Sequence, residues 1–203
     1  MHAKGRTGLP PLVFDQTEEE YVVIVHIRRG DINLNANKAY FAKLKAQVDE
    51  VLEDFPTVHY YFVTEGLGLE EGQPPFDFLA QIFPADDDRT KTTYLNHLDP
   101  QASLLHMMNA DLLVTTGSSF PYLAATVSPK PVVFFGQPKE KTFALGMLRP
   151  DFVLVDDGGS IISPSIAEAT ALVAVRYEEV HGRRFPYRRR RQRRRSLRAF
   201  SDD

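Results

Sequence analysis

The chain has 203 residues, no cysteine and a formal net charge of −3, which suits one domain with tails and excludes disulfides, thiolate catalysis and cysteine-ligated zinc. No run approaches the ~18 apolar residues of a membrane span, and Met1 to Pro11 lack the apolar stretch of a secretory signal. The charge is unevenly divided: residues 183–203 carry ten arginines against Asp202 and Asp203, or +8, which leaves −11 on residues 1–182. An acidic body does not suit general nucleic-acid binding, so any positively charged site within it has to be local.

In chain order, residues 1–18 read as an N-terminal extension, 19–182 as one domain and 183–203 as an arginine-rich tail. Tyr21-Val-Val-Ile-Val-His-Ile is a hydrophobic, β-branched run that predicts a strand covered on both faces, and it ends in Arg28-Arg29-Gly30-Asp31. Asn33 to Asn37 read as loop. From Lys38 to Asp54, Phe41, Leu44, Val48, Val51 and Leu52 recur at helical spacing and predict an amphipathic helix. Val58 to Thr64 is aromatic and β-branched, a second strand that Glu65-Gly-Leu-Gly ends, so strand, helix and strand make a βαβ unit.

Gly66 to Asp88 is loosely patterned, with Phe76 to Phe83 as a short helix and Asp86-Asp87-Asp88 as a solvated turn. Pro100 to Asn109 is helical in character, and Asp111 to Thr116 reads as a buried strand that stops at Gly117-Ser118-Ser119-Phe120. Pro121 suits the start of a helix over Tyr122 to Val127. Lys130 to Gly136 and Phe152 to Asp156 are further strands, Asp156-Asp157-Gly-Gly a turn, and Pro164 to Val180 a closing helix. The alternation predicts an α/β fold with a doubly wound, mainly parallel sheet.

Ligands of such sheets bind beyond the carboxyl ends of the strands. Arg28 and Arg29 would then line a cleft, and a guanidinium offers a planar fork of donors that matches phosphate oxygens. Pairing of one arginine with Asp31 is the structural alternative. The Thr116-to-Pro121 loop offers the hydroxyls of Ser118 and Ser119 and backbone N–H groups at a helix start, either as an anion site or as an ordinary N-cap.

The segment His26-Ile-Arg-Arg-Gly-Asp31 resembles the H-x-R-R-x-D motif of the α1,2-, α1,6- and protein O-fucosyltransferase superfamily. Ala110-Asp-Leu-Leu-Val-Thr-Thr-Gly-Ser-Ser-Phe120 is similar to its A-D-x-L-V…S-S-F segment, and Tyr60-Tyr-Phe-Val-Thr-Glu65 to its middle strand. The three stand in family order over roughly residues 20–136. The resemblance implies the Rossmann-like, nucleotide-sugar-binding C-terminal lobe of a GT-B glycosyltransferase. Such an enzyme transfers fucose from GDP-fucose, with inversion and no obligatory metal or other cofactor, to a glycan or protein hydroxyl.

The same resemblance assigns Arg28 to the β-phosphate and the departing GDP, Arg29 to a second phosphate or loop contact, and His26 to the base or ribose. It makes Asp31 the residue that orients the arginines, and gives Ser118, Ser119 and Phe120 to the donor site. Where the family has an acidic pair after the middle strand, this chain has Glu65-Gly66. The guanine-reading acid falls at Ser103, with Asp99 the nearest carboxylate. Ile32 to Ala39 contain no Asp or Glu, so Asp31 and Glu65 are the candidates for the base that takes the acceptor proton.

His59, His97 and His106 lack metal-ligand spacing and read as structural or exposed; Met107 and Met108 read as core. The arginine tail repels itself and is expected to be disordered. It either serves an anionic partner such as RNA, a membrane surface or an import receptor, or is simply solvated. The family setting implies a Golgi or ER lumen for a fragment of a typical enzyme, and the cytoplasm for a chain complete as it stands. Oligomeric state has no sequence signal.

Overall fold

The computed structural model describes residues 12–14, 20–27, 38–64, 68–115, 119–136, 152–156 and 158–182. They form a doubly wound α/β fold around a seven-stranded sheet. The strands are β1 (Glu20–Ile27), β2 (Thr57–Thr64), β3 (Thr90–Leu95), β4 (Leu112–Thr115), β5 (Val132–Gly136), β6 (Phe152–Val155) and β7 (Ile161–Ser163), in the spatial order β3-β2-β1-β4-β5-β6-β7. All neighbours are parallel except β6 and β7. The helices are α1 (Lys38–Val51), α2 (Asp77–Ile82), α3 (Pro100–Asn109), α4 (Ser119–Val127) and α5 (Ile166–His181).

Period-two alternation divides each central strand between two apolar layers. Tyr21, Val23, Val25 and Ile27 of β1 face the layer built with Phe41, Leu44, Val48 and Val51 of α1, Leu79 of α2 and Val173 and Tyr177 of α5. Val22 and Ile24 face the other, with Met107 of α3 and Ala124 and Ala125 of α4. Tyr21 to Ile27 are all buried, which is why β1 reads as a continuous apolar run rather than an alternating one.

Local signals set the helix ends. Asp99 caps α3, its carboxylate accepting from the Ala102 N–H at 2.7 Å, and Pro100 follows it where its missing donor is not needed. Ser165 and Glu168 form a capping box on α5, and Gly182, at φ 62°, ends that helix by donating to the Glu178 carbonyl. The guanidinium of Arg89 closes α1 by donating to the carbonyls of Leu52, Asp49 and Phe55, a cation where the helix dipole favours one.

Several boundaries differ from the sequence expectation. α4 begins at Ser119 rather than Tyr122, because Pro121 is tolerated anywhere in a first turn whose N–H groups have no intrahelical partner. α1 stops at Val51 and passes through a turn over 52–54, and α5 spans Ile166–His181 rather than Pro164 to Val180. Strands β3 and β7 were not expected. β3 is a Thr- and Lys-bearing edge strand, and β7 has only three residues, all at least partly exposed, so neither carries a strong apolar pattern.

Two expected turns are present. Asp87 holds the one before β3, its carboxylate accepting from the N–H groups of Arg89 (2.8 Å) and Thr90 (2.6 Å) and from the Thr90 hydroxyl. These bonds bring the Asp87 pKa down to about 2. At the other, Asp156 Oδ1 accepts from the N–H groups of Gly158 and Ser160. Gly159, at φ +83°, lies so close to α1 that an added Cβ would fall 2.4 Å from the Tyr40 carbonyl oxygen. Only glycine fits that approach. The tail beyond Gly182 and the loop Asn33 to Asn37 lie outside the described residues.

Candidate functional site

The chain winds outward from β1 through β2 to the edge strand β3, then returns to lay β4 on the other side of β1. Successive connections therefore leave β1 and β4 in opposite directions, and the carboxyl ends of these two strands bound the crevice where open α/β sheets bind ligands. His26 is level with Thr115 in the β1–β4 register, and Ile27 is level with Thr64 in the β1–β2 register. The residues that follow β1 and β4 in sequence are those of the two motif loops.

His26 is 3% exposed and lies on the α3/α4 side of the sheet. Its ring centroid is 6.0 Å from that of Phe120, in the first turn of α4, with the planes inclined at 56°. Two candidate residues separated by 94 positions in sequence thus meet at the β1/β4 crevice. Ser119 opens α4, whose N-terminus carries the partial positive charge of a helix start. Asp99 occupies the same carboxyl edge, beyond β3, and its described role is to cap α3. Ser103, at the position of the family's guanine-reading acid, is buried at 6% exposure in α3. Arg28, Arg29, Asp31, Glu65 and Ser118 lie outside the described residues, as does the side chain of Ser119.

Around this edge the fold leaves polar atoms buried without partners among the described residues. They include the hydroxyls of Thr64 and Thr115 and the amide oxygen of Asn96, on residues 2%, 0% and 1% exposed. A buried hydroxyl or amide oxygen without a hydrogen bond is costly, and native proteins keep few of them. The sequence reading singled out none of these three. Their signal was positional only: Thr64 and Thr115 end strands, and Asn96 immediately follows one.

Of the histidines away from the crevice, His106 and His59 have structural partners. His106 is fully buried in α3; its Nε2 accepts from the Val13 N–H at 2.9 Å, so Nδ1 carries the proton and donates to the Ala102 carbonyl at 2.7 Å. Burial lowers its pKa, opposed by the Ala102 bond. His59 shares the amino edge of the sheet with Glu20 (3.7 Å) and Thr93 (2.9 Å), and burial lowers its pKa against the attraction of Glu20. His97 is exposed. Among the described residues no group of three His, Asp or Glu is placed to hold a metal ion, and no helix is long and apolar enough to cross a membrane. The chain matches no known protein family taken as a whole, and comparison with curated proteins finds no match.

Proposed function

We propose that the carboxyl edge of β1 and β4 binds the diphosphate of a nucleotide sugar and that the chain is a fucosyltransferase-like glycosyltransferase domain, transferring fucose from GDP-fucose to a glycan or protein hydroxyl. One observation carries most of the reading: the strand order makes β1 and β4 neighbours at the reversal point, and the His26–Phe120 contact joins the segments that resemble the two family motifs.

The chemistry that follows assigns Arg28 to the leaving group. As the C1–O bond of the donor breaks, negative charge grows on the diphosphate, and a guanidinium already aimed there favours that state over the ground state. Arg29, Ser118 and Ser119 add donors, the N-terminus of α4 adds its dipole, and His26 meets the nucleoside. Asp31 or Glu65 takes the acceptor proton. A second reading, a nucleotide-sugar-binding domain without turnover, is favoured by the absence of Asp and Glu from Ile32 to Ala39, the loop expected to supply the base.

Calorimetric titration with GDP, GDP-fucose and UDP tests the donor site. Wild type should bind the guanine nucleotides, and Arg28→Ala should bind them roughly 10- to 100-fold more weakly, the value of a charge-assisted phosphate contact. Equal affinities in the two proteins would remove Arg28 from the site. Turnover of GDP-fucose in the presence of acceptor glycans separates the enzyme from the non-catalytic domain.

A further inference from the structure

Thr64 and Asn96 end or follow adjacent parallel strands. Val63 pairs with Leu95, so the next residues on β2 and beyond β3 are Thr64 and Asn96, carried on strands about 5 Å apart. Val58, Tyr60 and Phe62 of β2, and Tyr94 of β3, face the layer that contains α1 and α2. Alternation puts the Thr64 side chain on that same side.

The orientation of the Asn96 amide follows from its partners. Its Nδ2 lies 2.7 Å from the carbonyl oxygens of both Glu70 and Gln73. Two acceptors on one atom require the NH₂ group there, so Oδ1 is the opposite atom, and it is the one left without a partner. The segment it holds is itself closed by reciprocal bonds, Gln73 N–H to the Glu70 carbonyl and Glu70 N–H to Gln73 Oε1. Asn96 therefore presents an acceptor in a fixed direction. On the neighbouring strand, one residue past the Val63–Leu95 pair, the buried Thr64 hydroxyl can both donate and accept.

We infer that Thr64 and Asn96 form a neutral hydrogen-bonding notch for a hydroxyl-bearing ring of the bound nucleotide sugar, either its ribose or its hexose. The inference rests on the nucleotide reading above and concerns a different part of the ligand. A sugar hydroxyl donates to one oxygen and accepts from another, which matches an acceptor beside a hydroxyl; a phosphate only accepts and would leave Asn96 Oδ1 unsatisfied. A diphosphate over the carboxyl ends of β1 and β4 sits between the two faces, with His26 and Phe120 on the α3/α4 face and the notch on the α1/α2 face, so the notch takes a ring that leaves the diphosphate over β2 and β3.

Thr64→Val removes the hydroxyl at constant volume, and Thr64→Ser keeps it; Asn96 is left intact because it also anchors Glu70 and Gln73. The measurement is calorimetric affinity of wild type and both variants for GDP, GDP-fucose and 2′-deoxy-GDP, with the melting temperature of each ligand-free protein. Thr64→Val is expected to melt within about 2 °C of wild type or higher, because it deletes an unpartnered hydroxyl. It should bind roughly 3- to 10-fold more weakly, with affinity restored in Thr64→Ser. If the hexose is the ring, Thr64→Val erases the difference between GDP-fucose and GDP. If the ribose is, it erases the difference between GDP and 2′-deoxy-GDP. Wild-type affinity of Thr64→Val for all three ligands would overturn the notch and leave the nucleotide site standing. A fall of many degrees in its melting temperature, repaired in Thr64→Ser and without a change in affinity, would make the hydroxyl a structural group and also overturn it. Failure of wild type to bind any nucleotide would remove both readings.

Discussion

The two edges of the sheet differ in how fully their buried polar groups are bonded. At the amino edge Asp111, just before β4, is saturated. Its Oδ2 accepts from the Val22 N–H at 2.9 Å and its Oδ1 from His181 Nε2 at 2.7 Å. Its carbonyl accepts from Tyr21 and from the Val132 N–H, and its own N–H donates to Val22. Through its side chain and backbone, one residue thus joins β1, β4, β5 and the last turn of α5, while Tyr177 packs across Tyr21, Phe55 and His181. At the carboxyl edge Thr64, Thr115 and Asn96 keep buried oxygens without partners. A fold selected only for stability would satisfy or delete such atoms. Among the described residues the amino edge keeps His59 Nδ1 without a hydrogen bond, 3.7 Å from Glu20, so the three oxygens at the carboxyl edge support the proposal that the ligand binds there.

The comparison predicts that damage at the amino edge lowers stability, whereas damage at the carboxyl edge lowers binding. Asp111→Ala should have the largest effect, about 3–5 kcal/mol, since it leaves the buried Val22 N–H and the partly buried His181 without their acceptor. That corresponds to a loss of roughly 6–20 °C in melting temperature, with nucleotide affinity of the remaining folded protein unchanged. Wild-type stability would mean the network is redundant. Arg28→Ala should reverse the pattern, with an unchanged melting temperature and fucose transfer slower by about 10²- to 10³-fold; normal turnover would refute the assigned role.

A smaller effect is expected from acid. His106 has a folded pKa below its unfolded value near 6.5, so between the two the unfolded chain binds the extra proton. Its contribution is complete above about pH 6.5 and declines as pH falls below that value. Chemical denaturation between pH 7.5 and 5.5 should show the loss, accompanied by release of Val13 and Phe14 from α3, because a proton on Nε2 removes the acceptor for the Val13 N–H. His106→Leu should flatten that pH dependence, and an unaltered slope would remove His106 as its source. The smallest change belongs to Thr115→Val: melting temperature equal to wild type or higher by a degree or two. A clear decrease would show that the fold uses this hydroxyl.

Much of the architecture was legible because the central elements carry strong local patterns. The buried β-branched runs of β1, β2, β4, β5 and β6 and the helical spacing of Phe41, Leu44 and Val48 required no tertiary information. Edge strand β3 was not legible, since an edge needs only one buried face and Thr90, Thr92 and Tyr94 fill it with mostly polar residues. Of the candidate site, His26 and Phe120 could be named from their motifs, whereas Asp99, considered as a base-reading acid, has its carboxylate engaged in the α3 cap.

The sequence by itself determined the α/β class, the period of each long element and the residues that leave β1 and β4, because these follow from steric preference and hydrophobic spacing within short segments. Only the tertiary structure decided that β4 returns beside β1, and hence that His26 and Phe120 meet. Strand order is set by which apolar faces bury one another across the whole chain. The fixed amide of Asn96 and the saturation of Asp111 belong to that same level, since each depends on partners 21 to 90 residues away in sequence.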